Sequence, residues 1–137
     1  GGSLLLGVAS FWEGVDFPGG ELEVLVIPKV PFPVPSEPVV EARSARLSAL
    51  GESPFERLFL PEAMLRMRQG AGRLIRRMDD RGVIVILDER LETRAYGPAI
   101  LSALPSRRIE HVSASECVAA VSRWFDAGDD EKGAGRL

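Results

Sequence analysis

Cysteine and histidine are scarce in this sequence, which holds one of each, Cys117 and His111. A single cysteine cannot form an intrachain disulfide, and it cannot by itself bind zinc or an iron–sulfur cluster. No apolar run is long enough to cross a membrane, and the first residues lack the basic start and cleavage pattern of a signal peptide. We therefore expect neither a disulfide-stapled secreted domain nor a membrane protein, and we predict a cytoplasmic location.

What is present is the composition of an ordinary globular protein: 137 residues, 45% hydrophobic, 27% charged, with a net charge of −3. This length predicts one domain with a single core. The net charge gives no global sign of nucleic-acid binding, although a few well-placed Lys and Arg suffice for phosphate contacts. The sequence lacks an initiating Met and begins almost at once with a strand-like run, so we expect a fragment of a longer polypeptide.

Alternation of strands and helices predicts an α/β layer fold. Three short apolar runs indicate buried strands of a parallel sheet that is covered on both faces. They are Leu4–Ala9, Leu22–Ile27 and Val83–Leu87. Helical spacing and end signals predict three helices, at Pro38–Leu50 with Gly51 as the stop, at Pro61 to about Arg77, and at about Ser113–Phe125 with a cap formed by Ser113 and Glu116.

Two segments depart from this alternation. Five prolines between Pro28 and Pro38 predict a rigid, extended loop after the second strand. The charged and Gly-rich end of the chain predicts disorder. We therefore expect one domain over residues 1–127 and a disordered tail over residues 128–137.

A cluster of arginines lies near the end of the second predicted helix. Arg73, Arg76 and Arg77 are three and four residues apart, so they share a face and repel each other unless an anion lies beside them. Gly70 and Gly72 weaken the helix by ~1 kcal/mol each relative to Ala, but they permit close approach by another backbone or a ligand. The residues alone leave two interpretations open, a phosphate-binding site and a solvated basic face.

Charged residues also follow two predicted strands. The run Ser10–Asp16, which includes Glu13 and Gly14, comes directly after the first strand, where ligands bind in parallel α/β sheets. Its alternative interpretation is a turn whose acids cap the next helix. Asp88-Glu89-Arg90 follows the third strand, and its alternative is a surface turn with an ion pair of little energetic value.

Taken in order, these segments resemble a known family. The run S-F-W-E-G-V-D-F-P-G, then Lys29 with P-F-P-V-P-S-E-P, then Q-G-A-G-R-L-I-R-R resemble motifs V and VI of superfamily 2 helicases, in the form of the DinG branch of the DinG/XPD-like DNA helicases. The resemblance covers about residues 4 to 105. It implies the C-terminal part of a second RecA-like motor domain, a three-layer fold of the P-loop NTPase type with a mainly parallel sheet, truncated at its N-terminus.

The resemblance implies an ATP-dependent DNA helicase that couples hydrolysis to translocation on single-stranded DNA and to unwinding, in repair or replication. ATP and Mg²⁺ would be bound mainly by a first RecA-like lobe of the same polypeptide, which carries the P-loop and the Asp-Glu box and can carry an iron–sulfur cluster. No G-x-x-x-x-G-K-[ST] loop occurs in this sequence. We therefore expect the isolated chain to be inactive.

The family's motif VI implies roles for four residues on the second predicted helix. Arg76 is implied to be an arginine finger that reaches the γ-phosphate. Arg73 is implied to bind phosphate or to couple that site to DNA, and Gln69 to position water or phosphate. Gly72 is implied to permit close packing against the other lobe.

The other motifs imply nucleotide and strand contacts. Glu13, Gly14 and Asp16 would lie where nucleotide and DNA sites meet. Ser10 and Lys29 would contact nucleic acid, and we predict no metal ligand in the chain. Two other functions stay open: a stand-alone, non-catalytic nucleic-acid or protein-binding module derived from a helicase lobe, and an unrelated α/β enzyme with a phosphate site at Arg73 and Arg76.

Overall fold

The computed structural model describes residues 22–74, 81–105 and 108–133, the last six of them by their backbone alone. The chain divides into two compact units, Gly1–Pro105 and Ser106–Leu137. The sequence predicted a single domain to residue 127, whereas the structure separates the last helix from the rest. Each unit is described by itself.

The first unit contains a two-stranded parallel sheet. Strand β1 (Val24–Ile27) pairs in register with β2 (Val83–Ile86). The pairing confirms two of the predicted strands and their parallel direction, while the predicted strand Leu4–Ala9 lies outside the described residues. Val26 keeps 51% of its surface exposed, so the predicted burial on both faces is incomplete in β1.

Helix α1 (Pro38–Ala49) follows the proline-rich loop and matches the predicted helix. Proline fits the first turn because the missing N–H has no partner there. The helix ends at Ala49, and Gly51, the second residue after it, has a φ of 75°. Gly51 N–H donates to the Ser48 carbonyl and Glu52 N–H to the Leu47 carbonyl, both at 3.0 Å. This is the Schellman arrangement, in which glycine takes the left-handed position.

Helix α2 (Leu60–Leu74) continues directly from a π-helical turn (Phe55–Phe59). Pro61 therefore lies inside a continuous helical stretch, although the sequence predicted it at the start. In an α-helix the Pro61 ring would clash with the carbonyl of Arg57, four residues earlier, and the wider turn relieves this crowding. The predicted end near Arg77 lies outside the described residues.

The core of the first unit forms where α2 meets the sheet and two short helices, α3 (Arg90–Thr93) and α4 (Gly97–Ser102). Helix α2 contributes Ala63 and Met67, both fully buried, which follow the predicted apolar spacing. The other buried members come from the strand end, the proline-rich loop and the short helices, and they are Ile27, Val30, Leu91 and Ile100.

The second unit is built on helix α5 (Cys117–Gly133). The helix begins at Cys117 rather than near Ser113, and only one half of the predicted cap forms. The Glu116 carboxylate accepts a hydrogen bond from Ser113 N–H at 3.1 Å, but the Ser113 hydroxyl donates to the same carboxylate rather than binding a helical N–H. The helix extends beyond the predicted end at Phe125, so the backbone at 128–133 is helical where we predicted disorder. Propagating a formed helix requires no new nucleus, which favours this extension. Among the described residues, no helix of either unit has the length and apolar character that crossing a membrane requires.

Candidate functional site

The outer face of α2 carries three of the predicted site residues. Gln69 and Gly72 are exposed and Arg73 is half-buried. They are three and four residues apart, so they are neighbours on the helix surface. Gly70 and Ala71 lie beside them in sequence but are buried. The motif is thus divided between small residues that pack inward and polar groups that face outward.

Among the residues that the structure describes, Gly72 has no neighbour that requires a glycine. A Cβ atom built at this position would meet nothing within 4 Å. Glycine in a helix still costs ~1 kcal/mol relative to alanine. The contacts that the structure describes therefore give no reason for a glycine at this position.

The other predicted site residues are not brought to this face by the described structure. Ser10, Glu13, Gly14, Asp16 and Arg76 lie outside the described residues, and their roles stay predictions. Lys29 is described, but it lies in the loop after β1 rather than on α2. It is exposed and forms no ion pair with any residue that the structure describes.

A second arrangement of polar groups lies at the edge of the sheet where both strands end. The Asp88 carboxylate, just after β2, accepts a hydrogen bond from Val30 N–H at 2.9 Å. Val30 follows β1, so this bond ties the two loops together. The side chain of Asp88 is only 4% exposed. The surface-turn interpretation of this segment is therefore wrong, because the carboxylate is buried and bonded to a residue far away in sequence.

Arg90 closes over this carboxylate. Its Nε and Nη2 atoms donate to Asp88 Oδ1 and Oδ2 at 2.8 and 2.6 Å, a bidentate pair. The Arg90 backbone N–H donates to Oδ1 at 3.2 Å. The guanidinium carbon lies 5.5 Å from the centre of the Phe32 ring, within the range of a cation–π contact. We refer to Asp88, Arg90 and the backbone of Val30 as the sheet-edge clasp.

Three aromatic rings support the clasp from the side of Phe32. Phe32 lies 5.6 Å from Tyr96 in an edge-to-face arrangement and 5.9 Å from Phe55. Phe55 and Tyr96 are 5.2 Å apart. These separations are those of favourable aromatic pairs. The rings connect the proline-rich loop, the π-helical turn and the segment before α4, so the position of Arg90 is fixed by several elements.

The bonds of the clasp lower the pKa of Asp88 to about 2. The Arg90 side chain is the main cause, and the N–H groups of Val30 and Arg90 add to it, while burial acts in the opposite direction. All three donors favour the charged carboxylate. Asp88 is therefore ionised at neutral pH.

We expect the stability contributed by Asp88 to be lost in acid. The pKa of Asp88 is lower in the folded protein than in the unfolded chain, where an Asp has a pKa near 4. Its ionised carboxylate therefore stabilises the fold at pH values above about 4, and this stabilisation disappears as the pH falls toward 2. The loss should be on the order of 2 kcal/mol. Urea unfolding of wild type and Asp88→Asn over this pH range measures it. The difference in free energy of unfolding should shrink as the pH falls, and a difference that stays constant would contradict the assignment.

Metal binding was not predicted for this chain. Among the residues that the structure describes, His, Cys, Asp and Glu do not form a group of three or more that could hold an ion. The polar groups on the outer face of α2 are instead an amide and a guanidinium. Such donors fit the oxygens of a phosphate.

Comparison with known families identifies the class of this domain. The helicase C-terminal domain family matches residues 1–107, most of the chain, so the chain belongs to this family. The mixed helix and strand structure with its parallel sheet agrees with the RecA-like α/β fold, and this part of the prediction is confirmed.

Within that family the chain is a DinG-like helicase C-terminal region. It is 47% identical over 103 residues to the ATP-dependent DNA helicase DinG of Photobacterium profundum, covering 75% of this chain and 15% of that protein. It is 47% identical over 105 residues to the ATP-dependent DNA helicase YoaA of Escherichia coli, covering 77% and 16%.

A third relative carries a different activity in its name. The chain is 44% identical over 120 residues to the 3'-5' exonuclease DinG of Bacillus subtilis, covering 88% of this chain and 13% of that protein. The chain thus spans less than a fifth of the length of these three relatives. Similarity in this region alone does not separate the two activities.

Proposed function

We propose that this chain is the second motor lobe of an ATP-dependent DNA helicase that moves along single-stranded DNA and unwinds duplexes, in DNA repair or replication in the cytoplasm. The observation that carries the proposal is the outer face of α2. Gln69, Gly72 and Arg73 lie together on the side of the helix that turns away from the core. Such a face suits half of a site that a second lobe completes.

The residues of this face fit the phosphates of ATP. Arg73 supplies a planar fork of donors, and Gln69 offers an amide that can orient phosphate or water. Gly72 leaves open space where the other lobe can approach. Arg76, three residues beyond Arg73, is proposed as the arginine finger that stabilises charge on the γ-phosphate.

The remaining functional groups are assigned on the family resemblance. Glu13, Gly14 and Asp16 would connect the nucleotide site to DNA, and Ser10 and Lys29 would contact the strand. The P-loop, the groups that hold Mg²⁺ and any iron–sulfur cluster would belong to the first RecA-like lobe. The isolated chain would then be inactive.

Two other functions make different predictions. A binding module derived from a helicase lobe would occur in a polypeptide with no P-loop. An exonuclease, as the Bacillus relative is named, would shorten a strand without needing ATP hydrolysis at α2. Both are outcomes of the experiment below rather than separate proposals.

The test uses the full-length protein that carries this chain. ATP hydrolysis is measured with and without single-stranded DNA, and an end-labelled forked duplex is incubated with ATP, without nucleotide, and with a non-hydrolysable analogue. We expect DNA-stimulated hydrolysis and release of a strand of unchanged length only with ATP. Shortened products in all three reactions would favour an exonuclease. Binding without hydrolysis, in a polypeptide lacking a P-loop, would favour the binding module.

A further inference from the structure

In the sheet-edge clasp the guanidinium donors of Arg90 reach solvent, whereas the carboxylate acceptor is buried. Asp88 is buried, whereas the Arg90 side chain is 39% exposed. Of the five N–H donors of a guanidinium, two bind Asp88. The other three have no hydrogen-bond partner among the residues that the structure describes.

Lys29 adds a second exposed cation, on the loop that this group holds in place. The Val30 N–H and the Arg90 Nη2 bond the same atom, Asp88 Oδ2, at 2.9 and 2.6 Å. The backbone next to Lys29 and the guanidinium of Arg90 are therefore fixed relative to each other by a single oxygen. The Lys29 side chain is exposed, and proline-rich chain on either side restricts its backbone.

We propose that Arg90 contacts phosphate in addition to Lys29, and that Asp88 is the positioning residue that orients the guanidinium and the loop carrying Lys29 toward the backbone of a single strand. The inference rests on the proposed function, because the strand is the nucleic acid on which that motor moves. Asp88 itself touches no phosphate in this arrangement. It orients the guanidinium and fixes the loop that carries Lys29.

Several features favour a nucleic-acid backbone as the ligand. Arginine held by a carboxylate on one edge still presents a fork of donors on the other, which suits phosphate oxygens. The Phe32 ring beneath the guanidinium fixes its plane at little entropic cost. Two exposed cations, one on the guanidinium that Asp88 binds and one on the loop that Asp88 fixes, can each contact a phosphate of a strand, and each contact should add to the salt dependence of binding.

The effect of Asp88 distinguishes positioning from simple charge. If only net charge mattered, removing the negative charge of Asp88 would tighten the binding of DNA. If Asp88 positions them, Asp88→Asn would weaken binding, because the bidentate pair with Arg90 is lost. We expect binding to be about 2- to 10-fold weaker, the equivalent of one hydrogen bond.

The experiment measures binding of a fluorescein-labelled oligothymidine to the full-length protein over a series of KCl concentrations. The logarithm of the binding constant falls as log [KCl] rises, so the slope of this plot is negative. We expect Lys29→Ala and Arg90→Ala each to make the slope less steep by about 0.7, and the double variant by about 1.4. The control is Arg46→Ala, which removes an exposed cation from the last turn of α1 and should leave the slope unchanged. A variant that is merely partly unfolded has a smaller fraction of molecules that bind DNA, but the folded molecules still show the wild-type slope.

Each outcome decides the inference. An unchanged slope in Arg90→Ala, or tighter binding by Asp88→Asn, overturns it. Should Asp88→Asn fail to fold in urea and circular dichroism controls, the slopes of the two cation variants still decide, because both side chains reach the surface. If wild type hydrolyses ATP on DNA but these slopes do not move, the proposed function stands and this inference fails. If wild type binds no strand, the proposed function fails first.

Discussion

Replacing Arg76 with alanine in the full-length protein is expected to lower DNA-stimulated ATP hydrolysis by about 10³-fold or more, with much less effect on nucleotide binding. The physical reason is that a finger meets charge that develops only as the γ-phosphate leaves. Such an interaction lowers the barrier more than it strengthens the ground state. The prediction rests on the spacing Q-x-x-G-R-x-x-R from Gln69 to Arg76 and on the proposed function.

The measurement compares turnover with the binding of a fluorescent ATP analogue in the same preparations. Arg76→Lys is informative because it keeps the charge but loses the planar fork, and we expect it to restore little activity. Arg46→Ala, which removes an exposed cation from the last turn of α1, serves as the matched control. Turnover near the wild-type value in Arg76→Ala would remove the finger from the mechanism.

The size of the effect separates the two interpretations that charge alone left open. A cation on a solvated basic face contributes at most ~1 kcal/mol, so its loss would change the rate by less than about tenfold. A loss of a thousandfold corresponds to about 4 kcal/mol and requires a group that acts in the transition state. Intermediate losses in both ATP turnover and nucleotide binding would indicate that Arg76 contacts phosphate but does not act as an arginine finger in the transition state.

The parts of the fold that the sequence predicted are those set by local chemistry. The stop at Gly51 was predictable because only a few residues accept a positive φ, and the structure places it there. The hydrogen bond from Ser113 N–H to the Glu116 carboxylate was predictable because it joins residues only three apart. The sequences of β1 and β2 are unbroken apolar runs rich in Val and Ile, a pattern that is typical of strands in a parallel sheet.

The parts that it missed depend on contacts between distant segments. The alternation of apolar and charged residues could place Asp88 after a strand, but it could not show that β1 and β2 are neighbours. That pairing alone brings the Val30 N–H to the carboxylate. The available signal was an acid directly after the apolar run Val83–Leu87, with an arginine two residues on. The π-helical turn also had no local signal except Pro61.

The candidate site divides in the same way. Motif spacing was enough to predict that Gln69, Gly72 and Arg73 share a face of one helix, because the helical period fixes neighbours at three and four residues. It could not show that this face points outward, since that depends on which side of α2 packs on the core. Met67 and Ala71, both fully buried, establish the direction.

Gly97→Ala is expected to destabilise the protein by about 3 kcal/mol. Gly97 is buried at the start of α4, and a Cβ atom there would lie 1.8 Å from the carbonyl oxygen of Leu91 and 2.6 Å from its carbonyl carbon. These are backbone atoms, so no side-chain rotation relieves the overlap. The stabilisation that alanine gives by restricting the unfolded chain is at most ~1 kcal/mol, so the clash dominates.

The clash at Gly97 is also expected to displace residues of the sheet-edge clasp and its aromatic support. Leu91 follows Arg90 directly, and Tyr96 precedes Gly97. Urea unfolding followed by circular dichroism measures the loss, and Gly72→Ala is the control. A Cβ at Gly72 meets open space, so this variant should be stabilised by up to ~1 kcal/mol. Opposite signs for two glycine-to-alanine changes would show that space, rather than helix propensity, determines the need for glycine at 97. Equal and small effects would mean that α3 and α4 move apart at little cost, and Arg90 would then not be rigidly held.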